Sequence, residues 1–519
     1  MTAKESCAGS TELSIVTMKI RKTTSTLVLT PLLVLFLAFS ASAQQALPAH
    51  ECGTHFEDDD LAWLRSYQAD PAAYWAQLEA MGATRSSGGD WLVPVKVHIV
   101  GNDDGGGYYR LSNLMTVFCE VNEQFDTTGM HFYIRGDINY IDNSDYYAHD
   151  FFNGGQMMLE NNNGNMVNMY FVDDPAGNCG YFAPFPDGIA LAKTCSNPGN
   201  STIAHELGHY FSLPHTFSGW EGGAPPVSQQ EKVDGSNCGF AGDGFCDTRP
   251  DYAAYRWNCP TTGPFTDPDG VEFIPDGSFI MSYSNDACAV RFSEEQRGAM
   301  RANLQGTRSG HLTWPEPTLL THEPVELVEP EADAEDTPPN YTVLKWTADP
   351  NATSYHLTVS LNPAGTASAV DMLVTDTFFI ATEEHLVTDR NYYWRVKPVS
   401  VGNTCTEYTP LQKFKTGLFF TNVAEADSPL ETVTLYPNPV GAGQSVRVEL
   451  DSRSNFQAAV SMIDASGRQV NIRAEQLLSG KNTIDLSTEG LAAGLYLIRV
   501  ESLDGDVQLA HTEKIWVTR

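Results

Sequence analysis

The segment HELGHYFSLPH at residues 205–215 constrains the fold of this chain more than any other part of its sequence. Residues four apart lie on one face of a helix, so His205 and His209 can turn their imidazoles towards one metal ion. Pro214 cannot continue a helix, so we expect a turn just before it that brings His215 to the same ion. Three neutral imidazoles leave the double charge on a zinc ion and keep its fourth position open for water.

Glu206 directly follows the first of these histidines, where a carboxylate can accept a proton from that water. The sequence therefore predicts a zinc hydrolase. An ordinary amphipathic helix with two surface histidines is the alternative interpretation of the HExxH pentapeptide alone. The third histidine, the turn and the N-cap residues at 200–202 favour the metal site over that alternative.

A methionine turn follows the histidine segment in metzincin peptidases, and this sequence resembles that clan. Its counterpart is the segment FIMSYS at 279–284. In metzincins such a methionine forms an apolar floor beneath the metal, and in several branches a tyrosine two residues later stabilises the oxyanion. The resemblance implies these roles for Met281 and Tyr283, whereas Met281 taken alone would be an ordinary core residue.

Within the clan, the chain most resembles the pappalysin branch, over roughly residues 91 to 305. The matching segments are HELGHYFSLPH, GDGFCDT at 242–248 and MSYSNDAC at 281–288. Ser212 departs from the pattern, because the branch normally has glycine there to allow a positive φ. Either the turn adopts an ordinary conformation, or Ser212 carries strain of about 1 kcal/mol.

The segments around the histidines predict an α/β domain. Apolar residues alternate from Trp91 to Val100 as in a strand, and those from Leu111 to Phe125 follow helical spacing. Further strand-like runs lie at 130–134 and 166–172. The resemblance to metzincins implies a twisted sheet over the active-site helix, with an edge strand that pairs with extended substrate.

A chain of 519 residues is too long for one core. We predict a multidomain protein in which the metzincin-type α/β domain precedes two small all-β sandwich domains. The predicted segments are a leader at 1–43, a propeptide at 44–90, the zinc peptidase domain at 91–312, a fibronectin type III-like domain at 320–417, a linker at 418–432 and a sorting domain at 433–519.

The leader has the organisation of a signal peptide. A basic start at Met18 precedes an apolar run at 26–39, and an A-x-A site ends at Ala43, so we expect cleavage there and translation from Met18. The apolar run is too short to span a membrane. The net charge of −34 argues against nucleic acid or anionic membranes as partners, and solubility is its simplest explanation.

Strand-like segments dominate the chain after residue 320. Trp346 and the Tyr393-Trp394 pair resemble the pattern of a fibronectin type III-like sandwich. The last segment begins with LYPNP at 435–439, continues with LAAGLYLIRV at 491–500 and ends in a strand-like EKIWV at 513–517. In that order these pieces resemble a type IX secretion sorting domain, which implies export across the outer membrane by the type IX machinery.

Ten cysteines in an exported chain predict disulfides. No CxxC pair is present, which disfavours the alternative of a zinc site built from thiols. The resemblance to pappalysins implies the pairs Cys238–Cys259 and Cys246–Cys288, although four cysteines allow three pairings. The remaining candidates close a loop just before the active-site helix, and they are Cys179 and Cys195.

Cys52 lies shortly after the expected mature start, in a Cys-Gly-Thr element that resembles pappalysin propeptides. A thiolate is a strong zinc ligand, so Cys52 is a candidate inhibitory switch that would displace the catalytic water. A disulfide with Cys119 or Cys405 is the alternative. We expect activation cleavage in the flexible segment RSSGG at 85–89.

Aspartates follow the third histidine at unusually high density, and pappalysin relatives bind calcium in this region. Hard oxygen ligands on loops suit Ca²⁺, so a structural calcium site is one interpretation. Ordinary turn residues are the other. The aspartates concerned are Asp243, Asp247, Asp251, Asp267 and Asp269.

The combined prediction is a secreted zinc-dependent endopeptidase, made as a zymogen, that hydrolyses peptide bonds in extracellular proteins. His205, His209 and His215 would bind zinc, Glu206 would be the general base and Tyr283 would stabilise the oxyanion. Two alternatives remain at this point. A surface adhesin could retain zinc structurally, and a zinc hydrolase could act on non-peptide polymers.

Overall fold

The computed structural model describes residues 52–54, 56, 59–82, 90–252, 264–418, 429–464, 468–504 and 509–518. The predicted leader and the predicted cleavage segment at 85–89 lie outside these ranges. No helix in the described ranges is long and apolar enough to cross a membrane. The helices are α1 Ala62–Ala69, α2 Pro71–Ala80, α3 Leu111–Phe125, α4 Ser144–Tyr147, α5 Phe151–Asn161, α6 Thr202–Tyr210 and α7 Glu294–Gln305.

The strands fall into an N-terminal and a C-terminal set. The first set is β1 Trp91–Gly101, β2 Met130–Ile134, β3 Asn139–Asp142, β4 Ala148–His149, β5 Val167–Val172, β6 Asp174–Pro175, β7 Gly180–Ala183, β8 Gly188–Ala192, β9 Phe265–Thr266 and β10 Glu272–Phe273. The second set is β11 Leu327–Glu329, β12 Ala334–Thr337, β13 Thr342–Trp346, β14 Ser354–Ser360, β15 Ser368–Val374, β16 Phe378–Ala381, β17 Asn391–Val399, β18 Gln412–Thr416, β19 Leu430–Tyr436, β20 Val440–Gly441, β21 Ser445–Ser452, β22 Phe456–Asp464, β23 Gln469–Leu477, β24 Gly480–Ser487, β25 Gly494–Ser502 and β26 Ala510–Thr518.

The main sheet of the first domain has the strand order β2-β1-β5-β8-β7, with β3 also paired to β1. Its strands run parallel except that β7 is antiparallel to β8. Every residue of β5 and β8 is buried. Strands that are covered on both faces in this way are almost continuously apolar in sequence. The edge of the sheet next to the active-site helix is β7, a strand that sequence patterns did not reveal.

Two helices pack on this sheet and build the core of the domain. Helix α3 contacts β2, helix α6 contacts β7 and β8, and the two helices contact each other. Apolar residues of α3 at helical spacing, including Leu114, Phe118 and Phe125, are fully or almost fully buried. The predicted α/β character of this domain and the predicted helix at 111–125 are confirmed.

The segment predicted to be a propeptide forms two helices that pack into the same core. The predicted amphipathic stretch is divided at Asp70, whose side chain accepts a hydrogen bond from the Ala73 amide and caps α2, while Pro71 fills the first helical position. Leu64 is fully buried and Tyr67 is 5 % exposed, and both belong to the core of the first domain. Residues of the predicted propeptide therefore contribute to the core of the first domain.

The C-terminal half consists of β-sheets in two groups. A three-stranded sheet β11-β13-β16 and a five-stranded sheet β12-β18-β17-β14-β15 contribute Trp346 and Trp394 to one shared core. A second pair of sheets, β19-β21-β24 and β20-β26-β25-β22-β23, surrounds another core. Residues Leu47–Arg519 form one compact unit, and the domain boundaries given above stay predictions.

Disulfides in the described ranges differ partly from the predicted pairs. Cys179 and Cys195 are bonded, as expected. Cys238 is bonded to Cys246, so the predicted pairs Cys238–Cys259 and Cys246–Cys288 are wrong. The reason is local, because the loop between Cys238 and Cys246 folds back through hydrogen bonds of the amides of residues 241 and 244.

Cys288 also belongs to a disulfide, and Cys259 lies outside the described residues. The remaining described disulfide joins Cys119 on α3 to Cys405 in the β-rich half. Cys52 is a free thiol, so the alternative in which it pairs with Cys119 or Cys405 is wrong.

Candidate active site

Three imidazoles from α6 and the loop behind it meet in one place. His205 and His209 lie one turn apart on α6, and His215 follows the end of the helix. The Nε2 atom of His209 lies 3.0 Å from Nε2 of His205 and 3.1 Å from Nε2 of His215. Tetrahedral zinc with Zn–N bonds of about 2.0 Å separates its ligand nitrogens by about 3.3 Å, so the three nitrogens fit one zinc ion.

The second nitrogen of the two helical histidines faces a backbone acceptor. Nδ1 of His205 lies 2.7 Å from the carbonyl oxygen of Ile280, and Nδ1 of His209 lies 2.7 Å from that of Leu213. Each ring therefore carries its proton on Nδ1 and presents a lone pair at Nε2. Burial and the two neighbouring rings hold the pKa of His209 well below its usual value, which favours the neutral form that a metal requires.

The end of α6 explains how His215 reaches the same centre. The amide of Leu213 donates to the carbonyl of Gly208, and the amide of Ser212 donates to that of His209, which together form a Schellman motif. Ser212 adopts a φ of 72°, so the strained alternative is the one observed. Its hydroxyl accepts a 2.8 Å hydrogen bond from Nδ2 of the buried Asn303.

Met281 lies fully buried against the active-site helix. A Cβ at Gly208 would lie 2.2 Å from Sδ of Met281, so the thioether packs directly on the backbone of α6. The carbonyl of Met281 accepts a hydrogen bond from the amide of Thr216. The methionine turn thus fixes both the helix and the loop that bears the third histidine.

Glu206 points into the same region from the neighbouring position of α6. Its side chain is fully buried, and burial raises the pKa of its carboxyl to about 7, against the lowering effect of nearby hydrogen-bond donors. Strand β7 approaches closely here, because a Cβ at Gly180 would lie 3.0 Å from Cγ of Glu206. Oε2 of Glu206 accepts a 3.0 Å hydrogen bond from Oγ1 of Thr54.

Cys52 completes the cluster around the imidazoles. The ligand atoms of Cys52, His205, His209 and His215 all lie within 4.8 Å of one another. The amide of Thr54 donates to Sγ of Cys52 at 3.3 Å. Burial, together with the adjacent carboxylate of the general-base candidate, raises the pKa of the Cys52 thiol well above its usual value.

Residues 52–54 reach this position by pairing with the edge strand β7. Cys52 forms a parallel bridge with Gly180, and the amide of Gly53 donates to the Gly180 carbonyl at 2.8 Å. The amide of Phe182 donates to Oγ1 of Thr54, also at 2.8 Å. Residues 52–54 therefore occupy the hydrogen-bonding edge that an extended peptide would need.

Tyr283 lies on the opposite side of the cluster. Its hydroxyl donates to the carbonyl of Cys52 at 3.2 Å. Its ring centroid lies 5.0 Å from that of His215 and 4.6 Å from that of Phe217. The hydroxyl is thus positioned beside the metal-ligand cluster and contacts a peptide carbonyl there.

A polar cavity of about 240 Å³ opens beside His205 and Glu206. Asp286 lies in its lining and accepts hydrogen bonds from both the amide and the hydroxyl of Ser201, at 2.9 and 2.8 Å. Ser201 is the N-cap of α6, but its own side chain makes no capping hydrogen bond. Asp286, on a distant loop, therefore holds the residue at which the helix begins.

His215 differs from the other two histidines in its second contact. Its Nδ1 lies 3.1 Å from Oε1 of Glu221, a side chain on the following loop. Sequence patterns did not single out Glu221, Thr54 or Asp286. Two of them lie inside segments that carried the resemblance, Thr54 in the Cys-Gly-Thr element and Asp286 in the segment at 281–288.

A cluster of buried carboxylates lies behind the site. Burial and the neighbouring carboxylates of Asp243 and Asp251 raise the pKa of Glu231 to about 9. Burial raises the pKa of Asp243 to about 8. Oε2 of Glu231 and Oδ2 of Asp243 are buried, and no hydrogen-bond donor among the described residues contacts them. A Cβ at Gly242 would lie 2.6 Å from Oε2 of Glu231, so glycine gives this carboxylate its room.

The other aspartates of the predicted calcium region have contacts typical of loops. Oδ1 of Asp267 accepts hydrogen bonds from the amides of Asp269 and Val271, which closes a turn. Asp269 pairs with a lysine at 2.9 Å. Asp247 accepts from the amide of Glu295 in the first turn of α7. These three side chains thus act as turn, ion-pair and capping residues.

The chain is similar to fungal extracellular metalloproteases. One from Verticillium alfalfae is 27 % identical over 300 residues, which are 52 % of this chain and 96 % of the relative. Extracellular metalloprotease 1 of Coccidioides posadasii is 26 % identical over 271 residues, 46 % of this chain and 88 % of that protein. A solved structure of a promirolysin mutant from Tannerella forsythia is 19 % identical with a TM-score of 0.35, and covers 51 % of this chain and 97 % of that one.

The last part of the chain has a family match of its own. Residues 434–517 match the family model described as "Secretion system C-terminal sorting domain". Residues 434–517 are a secretion sorting domain. The match confirms the predicted type IX sorting tail and the export of this protein to the cell surface or the extracellular space.

Proposed function

We propose that this protein is a zinc-dependent endopeptidase of the pappalysin type that is secreted as a latent zymogen. The observation that carries the proposal is the convergence of three Nε2 lone pairs beside a buried carboxyl of pKa about 7. When zinc is bound, it lowers the pKa of a water molecule at its open position from 15.7 to about 7. The donor set fits zinc because all three ligands are nitrogens within tetrahedral reach.

Glu206 moves the proton in the proposed reaction. Its carboxylate accepts a proton from the attacking water and passes it to the leaving amine. Burial raises the pKa of this carboxyl above its usual value, which makes it a stronger base towards the attacking water. Tyr283 donates its hydroxyl to the substrate carbonyl oxygen as that oxygen becomes negative, once Cys52 no longer accepts it.

The substrate binds as an additional strand on β7. Its backbone would use the donor and acceptor groups of Gly180 and Phe182 that residues 53 and 54 use in the zymogen. Pairing of this kind recognises backbone and selects extended segments. We therefore assign unfolded or loop regions of extracellular proteins as the substrate class.

Latency in this proposal depends on two contacts of the propeptide. Sγ of Cys52 lies where it can be a fourth ligand. A bound cation would lower the raised pKa of this thiol and so favour the thiolate. Thr54 donates a hydrogen bond to Oε2 of Glu206, so that this oxygen of the proposed general base does not accept a proton from water. Cleavage within 85–89 followed by release of residues 52–82 would free both groups.

A structural calcium site is the second metal that we propose, at Glu231, Asp243 and Asp251. Burying several carboxylates together is unfavourable unless a cation balances their charge. Oxygen atoms of Glu231 and Asp243 that lack donors suit Ca²⁺, which prefers carboxylate and carbonyl oxygens. The site would fix the loop between the third histidine and the methionine turn.

The test compares the full chain with two variants on casein and on a bacterial glycan, before and after limited trypsin treatment. We expect the treated wild type to cleave casein and Glu206→Ala to be inactive by at least about 100-fold, with one zinc in both proteins. Cys52→Ala should cleave casein without trypsin. Casein hydrolysis by Glu206→Ala would disprove the proposed base, zinc without any protein cleavage would favour an adhesin, and glycan cleavage would favour a non-peptide hydrolase.

A further inference from the structure

The three metal-ligand candidates are oriented by different kinds of groups. His205 and His209 are held by backbone carbonyls of the methionine turn and of the loop after α6. His215 is held by a carboxylate, because its Nδ1 lies 3.1 Å from Oε1 of Glu221. Glu221 is thus an orienting group that substitution can remove without touching a ligand.

The Glu221 carboxylate is itself fixed in place. Its Oε2 accepts a 2.7 Å hydrogen bond from the amide of Gly219, so the two oxygens serve two different donors. The ring of His215 stacks on Phe217 with centroids 4.5 Å apart and planes 10° apart. His215 is 4 % exposed and Glu221 is 31 % exposed. The ring therefore has one face against Phe217 and one edge against a carboxylate.

We propose that Glu221 is a positioning residue that holds the third ligand for the metal, an inference that rests on the zinc site of the proposed function. His215 follows the helix on a loop, so the helix does not set the direction of its ring. A carboxylate that accepts from Nδ1–H fixes the tautomer, orients Nε2 and makes the ring a stronger donor to a cation. Its negative charge also offsets part of the double charge of zinc.

A purely structural role would give a different result. If Glu221 only closed the loop through Gly219, glutamine would replace it, because its single carbonyl oxygen can still accept from that amide. Glutamine cannot serve both donors, since its other terminal atom is an NH₂ group that faces the Nδ1–H of His215. Glu221→Gln therefore separates metal positioning from loop closure.

The experiment measures zinc affinity by competition with a chromophoric chelator, in the full chain carrying Cys52→Ala so that the thiol does not contribute. We expect Glu221→Gln to weaken zinc binding about 10- to 100-fold, with the unfolding temperature of the zinc-free protein unchanged. Glu221→Asp keeps the charge but withdraws it by about 1.5 Å, and its affinity should lie between the two. The visible spectrum of the Co²⁺-loaded protein should change in Glu221→Gln.

Glu272→Gln, at the exposed position of strand β10, is the matched control and should bind zinc like the Cys52→Ala parent. Equal zinc affinity and an unchanged cobalt spectrum in Glu221→Gln would overturn the inference while leaving the proposed function intact. If Glu221→Gln does not fold, an unchanged affinity in Glu221→Asp overturns it equally. Absence of zinc binding by the parent itself would overturn the proposed function, and the inference with it.

Discussion

Ser212 adopts a left-handed backbone conformation that residues with a Cβ atom disfavour. A φ of 72° disfavours a side chain with Cβ by about 1–2 kcal/mol. The hydroxyl accepts a hydrogen bond from Asn303, which is 1 % exposed, and this bond compensates for the unfavourable backbone conformation. A serine at the C′ position of α6 is therefore tolerated because its hydroxyl accepts a hydrogen bond from Asn303, which a glycine could not do.

This balance predicts the order of stability of wild type and two variants at residue 212. Ser212→Ala keeps the strained φ and leaves Nδ2 of Asn303 buried without its acceptor, so the free energy of unfolding should fall by about 1–3 kcal/mol. Ser212→Gly removes strain and the hydrogen bond together and should stay close to wild type. Urea unfolding of the three proteins measures the order, and an alanine variant as stable as wild type would contradict this account.

Thr54 gives a second prediction at the residue scale, because its hydroxyl donates to Glu206 and accepts from the Phe182 amide. Thr54→Val removes both bonds at nearly constant volume, so the propeptide should bind less tightly. The uncleaved full chain should then hydrolyse a quenched fluorogenic peptide faster than wild type does. Thr54→Ser keeps the hydroxyl and is the control, and equal rates for valine and serine would show that the hydroxyl does not contribute to latency.

At the scale of elements, the loop between the third histidine and the methionine turn brings carboxylates together in the interior. Glu231 is 3 % exposed and Asp243 is fully buried, although neither residue lies in a helix or strand. Helix α1 contacts the same loop, since Gln68 donates to the Asp243 carbonyl at 3.0 Å. The predicted propeptide thus contacts both this loop, through Gln68, and the candidate active site, through Thr54.

The stability of this loop should depend on pH in a specific direction. Burial raises the pKa of Glu231 from 4.5 to about 9 and that of Asp243 from 3.8 to about 8. The folded chain therefore binds these protons more tightly than the unfolded chain, and calcium-free protein should lose stability as the pH rises from about 4 to about 9. Ca²⁺ should remove most of this loss.

Unfolding transitions in EDTA and in millimolar Ca²⁺, recorded between pH 5 and pH 8.5, check this expectation. Glu231→Gln removes one of the two titrating groups and should flatten the pH dependence in EDTA. A calcium-free protein that is more stable at pH 8.5 than at pH 5 would contradict the assigned direction. An unaltered slope in Glu231→Gln would show that other groups titrate.

At the scale of the whole molecule, the β-rich half is attached to the first domain and does not merely follow it. Besides the disulfide between Cys119 and Cys405, Asp371 accepts hydrogen bonds from the amide and the hydroxyl of Ser112 at the start of α3. Arg110 also pairs with Asp371 at 3.6 Å. Helix α3 is therefore a common support for both halves of the molecule.

The long-range disulfide should contribute more to stability than a short one. Cys119–Cys405 closes a loop of 286 positions and Cys238–Cys246 one of 8. The stabilisation that a disulfide contributes by closing a loop grows with the length of that loop. Replacing the first pair by serine should therefore lower the free energy of unfolding by about 2–4 kcal/mol, and replacing the second should lower it clearly less. Scanning calorimetry of the two double variants measures the difference, and a larger effect of the short pair would contradict this reasoning.

Sequence alone determined the parts of this protein in which chemistry and local geometry coincide. The spacing of His205 and His209 needs only a helix, the helix at 111–125 needs only its apolar period, and the sorting tail has an ordered set of short segments. Residue types at fixed short spacing carry such information, because one secondary element brings their side chains together.

Tertiary structure decided what depends on distant contacts. Thr54 and Glu206 are 152 positions apart, and Ser201 is hydrogen-bonded to Asp286 from 85 positions away. The pairing of Cys238 with Cys246 followed from how one loop folds, which no spacing rule fixes. Chain folding brings these groups together, and no local pattern encodes that proximity, because each member by itself is an ordinary polar residue.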